Sequence, residues 1–374
     1  MQGKVLLLSQ RRIADLVAFC FAYEFEDTFT AVTDAQRIDV TDFPGLEFSR
    51  RAYKLARLVS GSPTLARRFA PYPRSKVVLE RNFELFFPVF SHTYELYSLA
   101  TIPNWRQRCR KAACFITEVW SQLLPKYLLE LLSAFDHVFI GNHHCVKDVA
   151  RMTGRPCTYL PLAVDVLRFA PASIDQPRPI EVCNIGRRSL VTHRALLEEA
   201  ERTRSFYYYD TVAASGADLK QRTFKVDNAH EHRGMLATIL KHSRYYIANR
   251  SYVNQPEFTA GRDEISGRFY EGAAAGTVMI GEAPRSEEFK RQFDWPDAVI
   301  HAPFDSPDIG HILADLNGAP ERLRAARRNN VREAALRHDW LHRIQVVFDT
   351  LGLAPTEEMR DRAQRLDRIV SDMR

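Results

Sequence analysis

The chain has 374 residues, enough for two hydrophobic cores, and its 45% apolar and 26% charged content is that of a folded globular protein, not a disordered or fibrous one. No stretch approaches the roughly 20 apolar residues of a membrane span; "IADLVAFCFAY" at 13–23 is too short and holds Asp15. The net charge of +6 and six cysteines without a CxxC pair argue for an anionic partner and against a zinc or disulfide framework.

The apolar run in "MQGKVLLLSQ" is too short for a signal-peptide core, so the chain reads as cytoplasmic. "KVLLLS" at 4–9 reads as a buried first strand, apolar on both faces. "ELFFPVFS" at 84–91, "ACFITEV" at 113–119 and "HVFIG" at 137–141 read as further strands. Pro88 inside the first of these predicts an edge position or a strand end. "LLPKYLLELLSAF" and "NHHCVKDVARMTG" have helical spacing, the latter ending at Gly154. Strands alternating with helices predict a parallel sheet.

"FAPASIDQPRPIEV" holds three prolines and marks a linker. The pattern then restarts. "IEVCNIG", "SFYYYDT", "RYYIANRS", "TVMIG" and "DAVIHA" read as strands, with helices at "THRALLEEAERT" and "HRGMLATILKHS". Residues 320–350 and 355–372 read as helical. The predicted organisation is an N-terminal domain over 1–171, a linker at 172–179, a second domain over 180–350 and a helical tail over 351–374. In open α/β sheets ligands bind beyond the carboxyl ends of the strands.

Charge is uneven. From Arg50 to Lys111 there are thirteen Lys/Arg against Glu80, Glu84 and Glu95. In "SRRAYKLARLV" at 49–59, Arg50, Lys54 and Arg57 share one helical face. This suits an anionic lipid surface or a lipid-diphosphate acceptor, or a solvated basic face. Nucleic acid is not expected, because no reading motif accompanies the patch.

"GRFYEGAAAGTVMI" at 267–280 sets one carboxylate, Glu271, in a segment built for close packing. Ser266 can N-cap a short helix and Gly276 can end it in a left-handed turn. Its N-terminus offers free N–H groups to a phosphate, Gly267 allows close approach, and Arg268 adds a fork of donors. Glu271, about one turn further, can accept bonds from the vicinal hydroxyls of a ribose. The alternative is a solvated glutamate with Arg268 as its i,i+3 partner.

The stretch "DEISGRFYEGAAAGTVMI" resembles the acidic-x7-Glu signature of GT-B glycosyltransferases, in particular the family-4-like, group 1 enzymes, with Asp263 and Glu271 eight positions apart. "LPLAVDVLRFAP" at 160–171 is similar to the segment those proteins carry before their interdomain linker. Asp165, Phe169 and Pro171 match, and Ala163 replaces the usual glycine. "CNIGRRSLVTHRALLEEA" at 183–200 resembles their phosphate-contacting loop through Gly186 and Arg187. The usual lysine is missing; Thr192 or His193 stands about there, with Arg188 and Arg194 as alternative cations.

The resemblance implies a GT-B fold, two Rossmann-like domains with C-terminal helices. It implies retaining transfer of a sugar from a UDP, GDP or ADP sugar to a glycan or lipid-linked glycan. Glu271 would bind the ribose, Asp263 the donor sugar, and amides around Ser266 and Gly267 the distal phosphate. Arg187 and Arg188 would neutralise the leaving diphosphate, with Arg268 and His193 nearby. No Asp-x-Asp occurs, so neither metal nor other cofactor is expected.

On the acceptor side His92 and Glu118 follow strands and are candidates to touch sugar or acceptor; Glu118 is the candidate base if transfer inverts. Arg11 and Arg12 follow the first strand and face either phosphate or solvent. His230 and His232 suit a metal poorly. The rival functions are a nucleotide-sugar epimerase of the same fold and a non-catalytic nucleotide-sugar or anionic-surface binding protein.

Overall fold

The computed structural model describes residues 4–12, 17–41, 46–62, 65, 69, 76–120, 124, 126–210, 226 and 228–373. They form two compact units. The first comprises Met1–Asp15, Phe29–Pro161 and Phe348–Ala354. The second comprises Leu16–Thr28, Leu162–Val347 and Pro355–Arg374.

The first unit is built on β1 (Val5–Arg12), β2 (Gln36–Thr41), β3 (Phe83–His92), β4 (Cys109–Glu118), β5 (His137–Ile140) and β6 (Cys157–Tyr159). Their order is β2-β1-β3-β4-β5-β6, and every pairing is parallel. Leu6, Leu7 and Leu8 are fully buried, as a strand covered on both faces requires. One core gathers Leu6, Leu8, Phe86, Phe90, Ile116 and Val138. Strand β2 carries too short an alternation for the sequence pattern to announce it.

Pro88 is not at an edge, as its type predicts. β3 lies between β1 and β4, with Pro88 opposite Leu8. Towards β4 the ladder passes from Phe86↔Ala112 to Val89↔Phe115, so the proline falls in a gap of that ladder. Helices α1 (Cys20–Thr33), α2 (Leu46–Ser60) and α3 (Val146–Thr153) accompany these strands in the chain.

The second unit contains β7 (Ile180–Asn184), α4 (Leu190–Thr203), β8 (Phe206–Tyr209), α5 (Ala229–Lys241), β9 (Ser243–Ile247), α6 (Gly267–Ala274), β10 (Val278–Gly281) and β11 (Ile300–His301). Its sheet runs β11-β10-β9-β7-β8, again parallel. Helices α7 (Ile309–Asn317), α8 (Pro320–Arg337), α9 (Trp340–Leu351) and α10 (Glu357–Asp372) follow. A separate core joins Val182, Tyr245, Ile247, Val278, Ile280 and Leu313.

The boundaries differ from those read along the chain. The change of unit comes at 161–162, not at the proline-rich stretch after 171. Polar anchoring explains this. The Asp165 backbone N–H donates to Glu24 (3.1 Å), and its carboxylate accepts from Arg362 of α10 (2.6 Å). Val166 N–H donates to the fully buried Asp339 (3.0 Å), and Val164 bridges to that residue in parallel. Residues 348–354 return to the first unit, where Lys111 Nζ donates to the Leu351 carbonyl. α10, expected as a tail, belongs to the second unit, with Arg362 forked onto Asp339 (both bonds 2.8 Å).

Each sheet has one place where its strand order reverses. In the first it lies between β1 and β3; in the second it lies between β7 and β9. There the flanking loops leave in opposite directions and open a crevice at the carboxyl ends.

Candidate active site

Strand β7 ends at Asn184, and the chain turns at Gly186 with φ +72°, a left-handed conformation that glycine adopts without strain. The Gly186 N–H donates to both oxygens of Asp210, at 2.9 and 3.0 Å. Arg188 forms an ion pair with the same carboxylate and donates to the Asp210 carbonyl (2.6 Å). Asp210, absent from the sequence-derived site, therefore holds the whole turn. It also occupies much of the charge of Arg188 that was assigned to a leaving diphosphate. Arg187 lies over the Tyr252 ring at 4.4 Å.

His193, in the first turn of α4, is hydrogen-bonded through Nδ1 to the Tyr207 hydroxyl (2.8 Å) and packs edge-on against Tyr209. Burial, with Arg188 nearby, lowers its basicity below the usual histidine range. Thr192 is buried, donating to the Phe304 carbonyl (2.6 Å) and accepting from Ser306 N–H (2.8 Å). Neither side chain replaces the charge of the family lysine.

Ser266 caps α6, accepting from the Arg268 N–H at 3.4 Å. Ala273, Ala274 and Ala275 are fully buried, and Gly276 follows with φ +61°. The predicted short helix, its start and its left-handed end are all present. The guanidinium of Arg268 crosses Gly186: a Cβ there would stand 2.5 Å from Arg268 Nη2. Arg268 thus joins the N-terminus of α6 to the β7 turn. It makes no hydrogen bond or ion pair through its side chain among the described residues. The freedom expected at Gly267 is used otherwise on its Cβ side, where the Phe21 ring would lie 2.1 Å from an added Cβ.

Glu271 is neither solvated nor paired with Arg268. It is buried at 3% exposure, and its Oε1 accepts from Arg233 Nη1. Its Oε2 accepts from the Tyr246 hydroxyl at 3.4 Å. Burial, with Glu271 beside it, pushes that phenol well above the ordinary range, which keeps it a neutral donor. Asp263 pairs with Arg250 (3.3 Å) and accepts from the Arg285 N–H (3.0 Å). Arg250 also donates to Glu282 (3.0 Å), beyond the end of β10.

In the first unit His92 and Glu118 stand side by side, paired in register at the carboxyl ends of β3 and β4. His92 Nε2 lies 3.9 Å from Glu95, which is itself fixed by the Ser91 N–H (2.6 Å). Glu118 accepts from the Trp120 indole N–H. The half-buried Arg11 is the last but one residue of β1, its backbone N–H on Ser9 Oγ (3.2 Å). The side chains of Arg12, Arg50, Lys54 and Arg57 lie outside the described residues. A depression of about 560 Å³ at the opposite, amino ends of β1, β3 and β4 is lined by Lys4, Arg81, Arg108 and Arg110, but the arginines are engaged by Gln36, Asn82 and Glu84.

His230 Nδ1 contacts Arg168 (3.1 Å) and Asp27 (3.4 Å), and no cluster of three or more potential metal ligands occurs among the described residues. The residues missed from sequence are Asp210, Tyr252, Arg250, Glu24 and Arg233. Asp210 had a signal: it lies at the carboxyl end of the predicted strand "SFYYYDT", where site residues collect.

Residues 187–349 match a family model described as glycosyl transferase-like. No curated protein matches the sequence. Among solved structures, Anabaena Alr3699/HepE in complex with UDP and glucose is similar at 11% identity and a TM-score of 0.53, covering 94% of this chain and 100% of that one. An alpha,alpha-trehalose-phosphate synthase (UDP-forming) from Burkholderia vietnamiensis gives 10% identity, the same coverage and a TM-score of 0.53. A glycosyltransferase from Rickettsia africae gives 9% identity over 93% of this chain and 97% of that one, with a TM-score of 0.50. At such identities the likeness speaks to the fold. With two parallel-sheet units of the expected kind, the likeness gives the chain a GT-B fold, and within it residues 187–349 form a glycosyl transferase-like segment.

Proposed function

We propose that the chain transfers a sugar from a nucleotide diphosphate sugar to a glycan or lipid-linked glycan acceptor, with retention and without a metal. The observation that carries this reading is the meeting of Arg268, the α6 N-terminus and the Gly186 turn where the second sheet reverses its order. Amides, a helix dipole and an unspent guanidinium at one point suit a diphosphate. In the transfer, the anomeric carbon exchanges its bond to the diphosphate oxygen for one to the acceptor oxygen. The acceptor's proton passes to the leaving phosphate. Arg268, Arg187 and the helix end would stabilise the charge that develops there, the work otherwise given to a metal. Asp263 would meet a donor-sugar hydroxyl, Glu271 the ribose, and His92 or Glu118 the acceptor side.

UDP is the first base to test, since two similar structures are named with it. A thermal-shift series with UDP, GDP and ADP checks the reading, because a ligand stabilises by RT ln(1 + [L]/Kd). UDP is expected to raise the melting temperature most. No shift with any of the three would overturn the assignment.

We read α2 as the contact with an anionic membrane surface. No helix among the described residues is long and apolar enough to cross a membrane. On α2, Phe48 (75% exposed), Leu55 (61%) and Val59 (78%) share one face at i, i+7, i+11, while Tyr53 is buried. Exposed apolar side chains on a basic helix suit an interfacial position. Phe48→Ser with Leu55→Ser should lower co-sedimentation with phosphatidylglycerol vesicles severalfold; unaltered sedimentation sinks the idea.

A further inference from the structure

The donor helix α6 is held from an unexpected part of the chain. Arg233, on α5, has a side chain only 2% exposed. Its Nε donates to Glu24 Oε1 (3.1 Å) and its Nη2 to Glu24 Oε2 (2.9 Å), a two-pronged fork. Its Nη1 goes to Glu271. The guanidinium lies over the rings of Phe21 (4.5 Å) and Phe169 (4.8 Å). Burial opposes its charge, but Glu24 and Glu271 outweigh that and hold it above the ordinary range. Glu24 accepts two more bonds, from the Trp340 indole and the Asp165 backbone, both at 3.1 Å.

Glu24 and Phe21 come from the first half of α1, which is counted in the second unit although the rest of α1 is counted in the first. They reach α6 twice. Phe21 fills the space over Gly267, and Glu24 acts through Arg233 on Glu271. The two touched residues are those read as phosphate and ribose contacts. A cluster serving stability alone would have no reason to end on both.

We infer that Glu24 and Arg233 are positioning residues for the nucleotide. They hold the Glu271 carboxylate so that Oε1 is spent on the guanidinium. Oε2, shared only with the Tyr246 hydroxyl among the described residues, is the oxygen that meets a ligand hydroxyl. The donor half of the enzyme is then incomplete without residues 17–28, which lie far outside the 187–349 match. The inference rests on the reading of Glu271 as a nucleotide contact.

A double-mutant cycle in the full chain tests both and separates them. UDP affinity is measured by calorimetry for wild type, Glu24→Gln, Glu271→Gln and the double variant. Glu24→Gln keeps the side chain's shape and one acceptor oxygen. It should weaken UDP about tenfold in the wild-type background and less than about twofold beside Glu271→Gln. Arg233→Lys, which keeps the charge and loses the fork, should show the same dependence on Glu271. Equal losses in both backgrounds, or no loss with Glu24→Gln, overturn the positioning inference and leave Glu271 as a contact. Unchanged UDP affinity in Glu271→Gln overturns both.

Discussion

Arg233→Met should destabilise the second unit by about 3–5 kcal/mol, because it takes the guanidinium from buried Glu271 and leaves buried Glu24 with the more distant Arg168 (3.9 Å). Arg233 supplies three hydrogen bonds to them and sits between two aromatic rings. Methionine fills much of the volume but answers neither charge. The loss should depend on pH in a particular direction. Burial already raises the Glu24 carboxyl above its ordinary range, with Arg233 the main opposing influence. Removing the arginine raises it further. An acid with a raised folded pKa contributes stability below its unfolded pKa and loses it as pH rises through the folded value. The deficit should therefore be largest near pH 8 and shrink towards pH 5. Hydrogen exchange of the amides of α5, followed at both pH values, measures it within the unit itself. A loss under about 1 kcal/mol, or a deficit that grows on acidification, would refute the account.

Glu24 also shows why part of the site was hidden in the sequence. Its bonds run to Arg233 and Trp340, 209 and 316 positions away. Periodicity reports which face of a helix is buried, not which unit buries it. The run "AFCFAYEFEDTF" gives no sign that its first half would leave the first unit. Arg233 stands in "HEHR", where the histidines invite a metal reading, although the arginine is the buried residue. Local features fared better. The strand "KVLLLS", the α6 segment with its Ser266 start and Gly276 end, and the helical character of 320–350 were legible because residues close along the chain decide each, although the break between α8 and α9 was not. Pro88 misled, because its type favours an edge while the burial of its neighbours Phe87 and Val89 places it centrally. The linker misled for a related reason. Three prolines mark a stiff stretch, but the change of unit is set by the polar anchors of Asp165 and Asp339, which are long-range.

The largest effect on catalysis is expected at Arg268. Three arginines lie at or beside the β7 turn, and their surroundings rank them. Arg188 is committed to Asp210, so its loss should loosen the turn more than it removes charge from a ligand. Arg187 rests over the Tyr252 ring at 4.4 Å, a cation–π contact. Arg268 has its guanidinium across Gly186 at the head of α6, with no ion pair among the described residues. A donor aimed at developing charge in a preorganised site is worth about 10²–10³ in rate. Arg268→Ala should thus lower the transfer rate about a hundredfold with little change in stability, since no partner is left buried and unpaired. Arg268→Lys should recover part of the rate, as a point charge without the fork. Arg188→Ala should instead lower the melting temperature and weaken binding through the turn. Steady-state transfer from a UDP sugar, measured with melting temperatures for the three variants, decides the ranking. If Arg268→Ala stays within threefold of wild type while Arg188→Ala loses the rate, the Asp210 pair opens on ligand binding, and Arg188 is the residue that meets the leaving diphosphate.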